Sequence, residues 1–588
     1  MNVEEDQSMN SKKNKSNGRK IIKKKNLIAE SVAEAVLVPV MERIDTEHIA
    51  KPTEKLVEET IFVRQPYALL IAVFLLGWVF DFLFWKQSVG INFALLLTLC
   101  ILVGVSLLFA EGYKPARNSI WLLFAFTFFA VITFVRQEPL TIFLAYMFTL
   151  FSIGLFATTY LGGRWHLYRL SDYLHKFFLL IGDMLARPIG FFRQVRKASE
   201  EVKERGKFPI FGLIRGLAIA LPIVLCFGSL LASADVVFNQ KLDDFFDTEK
   251  ISEYINRFIL IIFFAYLMTG TILYAATRSK DEKITGDGKS IIKPFLGFTE
   301  SAVVLSSVSF LFMAFVVIQF QYFFGGENNI GVEGYTYSQY ARRGFNELIT
   351  VAFFSLVMIL GLGAFTHRQN DIQSRFYSAM SVVVVALVMV ILISAYQRIS
   401  LGIDWHGFSR FRLYPRIFLI WLGILLVAVV VLEIFQRERY FAFVAVLVSL
   451  GFAVTLTLVN VDAATVKHNV FRAWHGKNLN TQHLASLSTD AVPALAEEFL
   501  SSSLPTVTRE GVGAILSCYK YLDYQPDVSQ HDWRSFNLSR WQAQKALEAV
   551  RPHLEGYVIR YNKWPVRVRT PSNFLFECWN GRPFYTED

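Results

Sequence analysis

The sequence predicts an all-α protein: a polytopic transmembrane helical bundle of about eleven spans with a small helical, soluble C-terminal region. Three observations predict it. Of 588 residues, 53% are hydrophobic and 18% charged. The apolar residues gather in unbroken runs of about 18 or more rather than recurring with an amphipathic period. The pattern turns soluble and helical only after Val461. Soluble, secreted and disordered classes are thereby excluded. Closed barrels need short alternating strands, so helices are the remaining way to satisfy the backbone in lipid.

Residues 1–65 form a basic tail, Lys12 to Lys25, followed by an amphipathic segment, Leu27 to Ile44, broken by Glu30, Glu34 and Glu42. No cleavable signal peptide is expected there. Residues 66–162 read as a four-span bundle: Pro66–Trp85, Val89–Ala110, Ser119–Val135 and Leu140–Leu161. Residues 163–207 form a basic loop, whose middle, Tyr173 to Phe192, is apolar but interrupted by Lys176, Asp183 and Arg187. That pattern predicts an interfacial helix. Residues 208–460 form a seven-span core: Phe208–Ser233, Tyr254–Thr277, Phe298–Phe323, Phe345–Phe365, Phe376–Tyr396, Ile417–Phe435 and Tyr440–Val459. Residues 461–588 are predicted as helices at Val461–Trp474, Ala491–Ser501, Glu510–Leu522 and Ser539–Val550, then an extended strap from Lys563 to Asp588.

The net charge is +10, from 59 basic and 49 acidic residues. In a membrane protein this points to anionic lipids at the cytoplasmic face, not to nucleic acid. The stretch 162–207 carries Arg164, Arg169, Lys176, Arg187, Arg193, Arg196, Lys197, Lys203, Arg205 and Lys207, so it stays cytoplasmic. The N-terminal tail lies an even number of spans away and is cytoplasmic too. The acidic loop 234–253 then faces out, and eleven spans place the C-terminal region out as well. Lys467, Arg472 and Lys477 close behind the last span argue the other way. Cys100 and Cys226 fall in apolar runs; Cys518 and Cys578 lie in the polar region, and spacing alone leaves their pairing open.

Several motifs lack the context their chemistry needs. Gly286-Asp287-Gly288-Lys289-Ser290 ends like a phosphate loop, but position 283 is Lys283 and no strand precedes it. Gly212 and Gly216 suit close helix packing. His468, His475 and His483 fit a surface helix better than a metal site. No HExxH, GxSxG or dinucleotide loop occurs, so no cofactor or metal is implied, and whether the protein is an enzyme stays open.

Ionisable groups inside spans are costly and point to function by default. Asp81 and Glu347 are such groups, while Arg215 and Glu433 lie near inner span ends, where reaching the interface is expected. The outer ends carry arginines against the positive-inside trend. Ser233-Ala234-Asp235 closes the fifth span; Tyr335, Tyr337, Tyr340, Arg342 and Arg343 precede the eighth. Arg398, Asp404, His406, Arg410, Arg412 and Arg416 crowd the loop between the ninth and tenth. One reading is structural: Arg343 and Glu347 are i, i+4, and Asp235 or Asp404 takes another arginine. The other is functional: guanidinium forks suit phosphate or carboxylate, within an aromatic rim that includes Trp405. The candidate ligand site is therefore Asp235, Tyr337, Tyr340, Arg342, Arg343, Glu347, Arg398, Asp404, Arg410 and Arg412.

The strings SLLASADVVF, GYTYSQYARRGFNELI, SAYQRISLGIDWHGFSRFRLY, NVDAATVKHNVFRAW and LSTDAVPAL resemble an uncharacterised bacterial multi-span membrane family. It is one of the numbered domain-of-unknown-function families (4173, or the related 4153). The resemblance covers about residues 210–500 and implies a bacterial membrane location, the cytoplasmic (inner) membrane, but no reaction. Three function classes follow. The first is an outward-facing accessory or binding protein for an anionic lipid or envelope ligand. The second is a transporter of a small or anionic solute, using Asp81, Glu347 and the arginines. The third is a membrane-embedded transferase with an outer carboxylate such as Asp235 as base.

Overall fold

The computed structural model describes residues 64–203, 248–280, 295–324, 345–368, 370–501, 504–523, 532–560 and 566–578, with scattered positions between 220 and 235. The N-terminal tail, the amphipathic segment Leu27 to Ile44 and most of the fifth proposed span lie outside the described residues. Among the described residues, ten helices are long and apolar enough to cross a membrane. They are α1 (Pro66–Phe84), α2 (Ile91–Ala110), α3 (Arg117–Val135), α4 (Pro139–Thr158), α6 (Thr248–Thr277), α7 (Phe298–Phe324), α8 (Phe345–Phe365), α9 (Asp371–His406), α10 (Arg410–Ile434) and α11 (Phe441–Val459). The intervening α5 (Leu170–Lys203) is amphipathic, as its broken apolar pattern predicts, and is not one of the ten.

The spans α1, α2, α3, α4 and α11 hold 19 or 20 residues each. At about 1.5 Å per residue they match a hydrocarbon layer of about 30 Å. They stop for local reasons. Proline at the first position starts α1 and α4, where the missing N–H costs nothing. The Glu138 carboxylate caps α4 by accepting from the N–H groups of Leu140 and Thr141. Asn460, in the left-handed region at φ 46°, ends α11 and turns the chain into the next helix.

Small residues set the close crossings. A Cβ on Gly77 would stand 2.5 Å from the Ile261 carbonyl oxygen, so glycine lets α1 and α6 touch backbone to backbone. Asp81 and Arg257 pair across the same contact, with Arg257 Nη2 2.6 Å and Nε 3.0 Å from Asp81 Oδ2. Beyond it, Trp85 Nε1 donates to Glu253 at 2.7 Å. The largest membrane core is built by α7, α8, α9 and α10 around Val384, Val388, Ile391, Ala395 and Leu426. The α11 helix joins it to the first bundle, where Ala453 meets Phe129, Ile132 and Ala145.

After α11 the chain builds a compact domain. Its helices are α12 (Val461–Trp474), α13 (Thr481–Ala485), α14 (Val492–Leu500), α15 (Thr506–Asp523) and α16 (Leu538–Val550). Val466, Val470, Leu484, Val492, Leu495, Leu516, Leu547 and Val550 fill its core. The described part of the expected strap carries two strands, β2 (Arg567–Arg569) and β3 (Leu575–Glu577), which join β1 (Val558–Arg560) just before it in an antiparallel sheet of order β1-β2-β3. Alternation explains this: Val568 points inward onto Ala514 and Cys518 while Arg567 and Arg569 flank it. Cys518 and Cys578 form a disulfide that ties the sheet to α15.

Candidate functional site

Three of the sequence strings that carry the family resemblance converge at one end of the bundle. They are the α9–α10 turn, helix α12 and the Ser488-Thr489-Asp490 turn. Their centre is Asp462, which is fully buried. Arg410 Nε and Nη2 reach its carboxylate at 2.7 and 2.5 Å, a fork-on-carboxylate pair. The Ser488 N–H and hydroxyl donate to the same carboxylate at 2.8 and 2.6 Å. Asp490 then accepts from the N–H groups of Gln137 and Glu138, at 2.8 and 2.9 Å, at the turn between α3 and α4. Arg136 Nη2 donates to the Thr457 carbonyl at 2.9 Å. Burial pushes the Asp490 carboxyl up, against the lowering effect of the Gln137 N–H, and burial likewise raises Glu138. The C-terminal domain is thus clamped to the α3–α4 turn and the start of α10 by buried, hydrogen-bonded charge.

A second layer lies across the α9–α10 turn. Asn469 accepts from the Phe408 N–H at 2.8 Å and donates to the Phe408 carbonyl at 2.9 Å. His468 stacks on the Phe408 ring with centroids 3.8 Å apart. Arg472 Nη2 donates to the carbonyls of Asp404 and Trp405 at 2.9 and 2.8 Å. Arg412 donates to the Gly407 carbonyl at 3.0 Å. Arg416 donates to the Tyr396 hydroxyl at 3.0 Å and lies over its ring. Gly407 is required here: its φ is +79°, and a Cβ would stand 2.2 Å from Asn469 Oδ1. Gly407→Ala should therefore lower stability by about 1–3 kcal/mol and displace α12 from the turn. Thermal unfolding of the purified protein measures this as a lower Tm.

His468 and His483 both sit among arginines. Burial, then Arg472, holds His468 below its ordinary pKa of 6.5; burial, then Arg410 and Arg412, does the same to His483. A histidine with a depressed folded pKa binds fewer protons folded than unfolded, so its contribution is intact above 6.5 and lost as pH falls below it. The raised carboxyls of Asp490 and Glu138 act oppositely, favouring the folded state as they protonate. Tm should fall as pH drops from about 7 to about 6, and the His468→Gln, His483→Gln double variant should flatten that fall.

Of the sequence-predicted site, Arg410 and Arg412 lie at this junction, and Asp404 contributes its carbonyl while its side chain is exposed. Arg398 is half-buried, two residues beyond Tyr396 on α9. Asp235 is exposed, and Glu347 is exposed in the first turn of α8. Tyr337, Tyr340, Arg342, Arg343 and Arg215 lie outside the described residues, as does the expected Arg343–Glu347 pair. The acid that takes Arg410 is Asp462. Asp81 and Glu433 are held in ion pairs: Glu433, expected to reach the interface, is buried and accepts from Arg368 at 3.1 Å and Ser378 at 3.0 Å. Its partner comes from the turn before α9, so it needs no water.

Sequence reasoning missed Asp462, Ser488 and Asp490 as partners of the arginines. The signal was present, since Asp462 and Asp490 sit inside the NVDAATVKHNVFRAW and LSTDAVPAL strings. Among the described residues, no group of three or more His, Cys, Asp or Glu side chains is arranged to hold a metal ion.

No curated protein and no solved structure matches this chain. A family model does match, over residues 123–498, starting earlier than the resemblance in the sequence strings and ending within α14. That match takes in the α3–α4 turn, the arginine-bearing α9–α10 turn and the start of the clamped domain through most of α14, and the chain belongs to the family described as Domain of unknown function (DUF4153).

Proposed function

We propose that the protein is an outward-facing accessory or binding protein of the bacterial cytoplasmic membrane that takes an anionic lipid or other anionic envelope ligand at the α9–α10 turn. The carrying observation is a difference between neighbours. Arg410 is neutralised by Asp462, whereas the bonds of Arg416 and Arg472 go to neutral oxygens, leaving their charge available to an anion. In this reading the N-terminus is cytoplasmic and the C-terminal domain extracytoplasmic. The Cys518–Cys578 disulfide supports that side, because such bonds persist in oxidising compartments. At the opposite span ends, α5 leaves Leu174, Phe178, Ile181, Leu185 and Ile189 exposed along one stripe, with the exposed Arg193 beside it. Such a helix suits the anionic inner leaflet.

The transporter alternative draws less support, because Asp81, one of the groups it needs, is ion-paired with Arg257. The test is titration of the detergent-solubilised protein with phosphatidylglycerol, with phosphatidylcholine as control, followed by native mass spectrometry. Arg416→Gln should weaken retention of phosphatidylglycerol about tenfold, the loss of one charge-assisted bond. Unchanged retention would remove the site.

A further inference from the structure

Helix α12 lies across the span ends rather than standing on them. Its first residue follows α11 and Asn460, its Asp462 meets the start of α10, and its Arg472 meets the end of α9. A rod of 14 residues, about 20 Å long, tied to three span ends must run along the membrane surface. Its level follows from the short spans. Asp490 bonds the N–H groups of the α3–α4 turn, where spans of hydrocarbon length end, so the base of the domain stands at the hydrocarbon edge.

At that level the domain is rimmed by exposed aromatic rings. Phe471 and Trp474 share one face of α12 and are more than half exposed, as is Trp405 at the end of α9. On another flank Trp533 is more than half exposed and lies 6.4 Å from Phe82, an exposed residue of α1. Arg534 donates to the Phe82 carbonyl at 2.5 Å and covers its ring. Rings with an apolar body and one polar edge gain most at the head-group level of a bilayer, and basic groups beside them meet lipid phosphate.

We propose that these rings form a collar that seats the base of the C-terminal domain in the phospholipid head groups of the leaflet on its own side. The collar holds the arginine-bearing turn at lipid level, and it stands independently of which anion that turn takes.

The test uses the full-length protein in phosphatidylcholine vesicles containing brominated phospholipids. The tryptophan emission removed by Trp474→Phe, and that removed by Trp533→Phe, are obtained by difference from the parent protein. Both substitutions keep a ring at an exposed site, and an unchanged Tm shows that each variant is folded. Each component should be quenched about twofold more by lipids brominated near the head group than by lipids brominated near the chain ends. Indifference of either component to brominated lipid, with full quenching by aqueous acrylamide, would overturn the collar.

Discussion

Asp462→Ala should release the C-terminal domain from the membrane bundle. The change removes the carboxylate that receives Arg410 and both donors of Ser488, and it leaves a half-buried guanidinium facing a void. Breaking a buried pair by deleting one partner costs about 3–5 kcal/mol. Asp462 is also the point where α10, α12 and the Ser488 turn meet, so the loss is transmitted to Asp490 and the α3–α4 turn. Limited proteolysis in membranes reads the result: the variant should be cut around 475–480 at protease levels that leave the parent intact. Asp462→Asn keeps the shape and part of the hydrogen bonding, and it should fall between the two. A cleavage pattern identical to the parent's would mean the domain is held by other contacts.

The second large effect is expected inside the membrane. Arg257→Leu deletes the partner of Asp81, whose side chain is almost fully buried at the α1–α6 crossing. An isolated carboxylate there has neither water nor counter-charge, and a penalty of about 3–5 kcal/mol follows. Gly77 brings the two backbones too close for a hydrated gap to open beside the pair. The exchange Asp81→Arg with Arg257→Asp restores the pair in reverse and should recover part of the loss. Thermal unfolding in neutral detergent compares parent, single and exchanged variants. Equal Tm for single and exchanged variants would show that the pair itself contributes nothing.

The membrane architecture was legible because it is written in composition. Runs that must satisfy their backbone in lipid have one solution, although helix ends that continue past the apolar run, as at His406 and Arg410, are not marked by hydropathy. Helices of the C-terminal domain were legible for the same kind of reason: Val461–Trp474 carries its apolar residues on one face, and Asn460 stops the preceding span. The sheet was not legible, since its strands are three residues long and inward Val568 gives too short an alternation to recognise. The partners of the arginines were not legible either. Asp462 lies 52 residues from Arg410, and Asp490 meets a turn more than 350 residues away. The sequence offered Asp235 or Asp404 for a further arginine, and both are exposed. The arginines of the α9–α10 turn stood out in the sequence, and Arg410 meets a crowded polar junction. Which acid stands opposite it is decided by tertiary packing, and packing chose an acid on a helix that the span count places beside it.

The side of the membrane on which the clamped domain stands is the claim on which the functional reading depends. Labelling of single cysteines introduced at exposed positions, Glu555→Cys in the domain and Arg193→Cys on α5, tests it most directly in intact cells or spheroplasts with a membrane-impermeant maleimide. Labelling of Glu555→Cys in sealed cells, with Arg193→Cys reacting only after permeabilisation, is the predicted result. Labelling of Arg193→Cys in sealed cells, with Glu555→Cys protected, would put the arginine turn on the cytoplasmic side and contradict it.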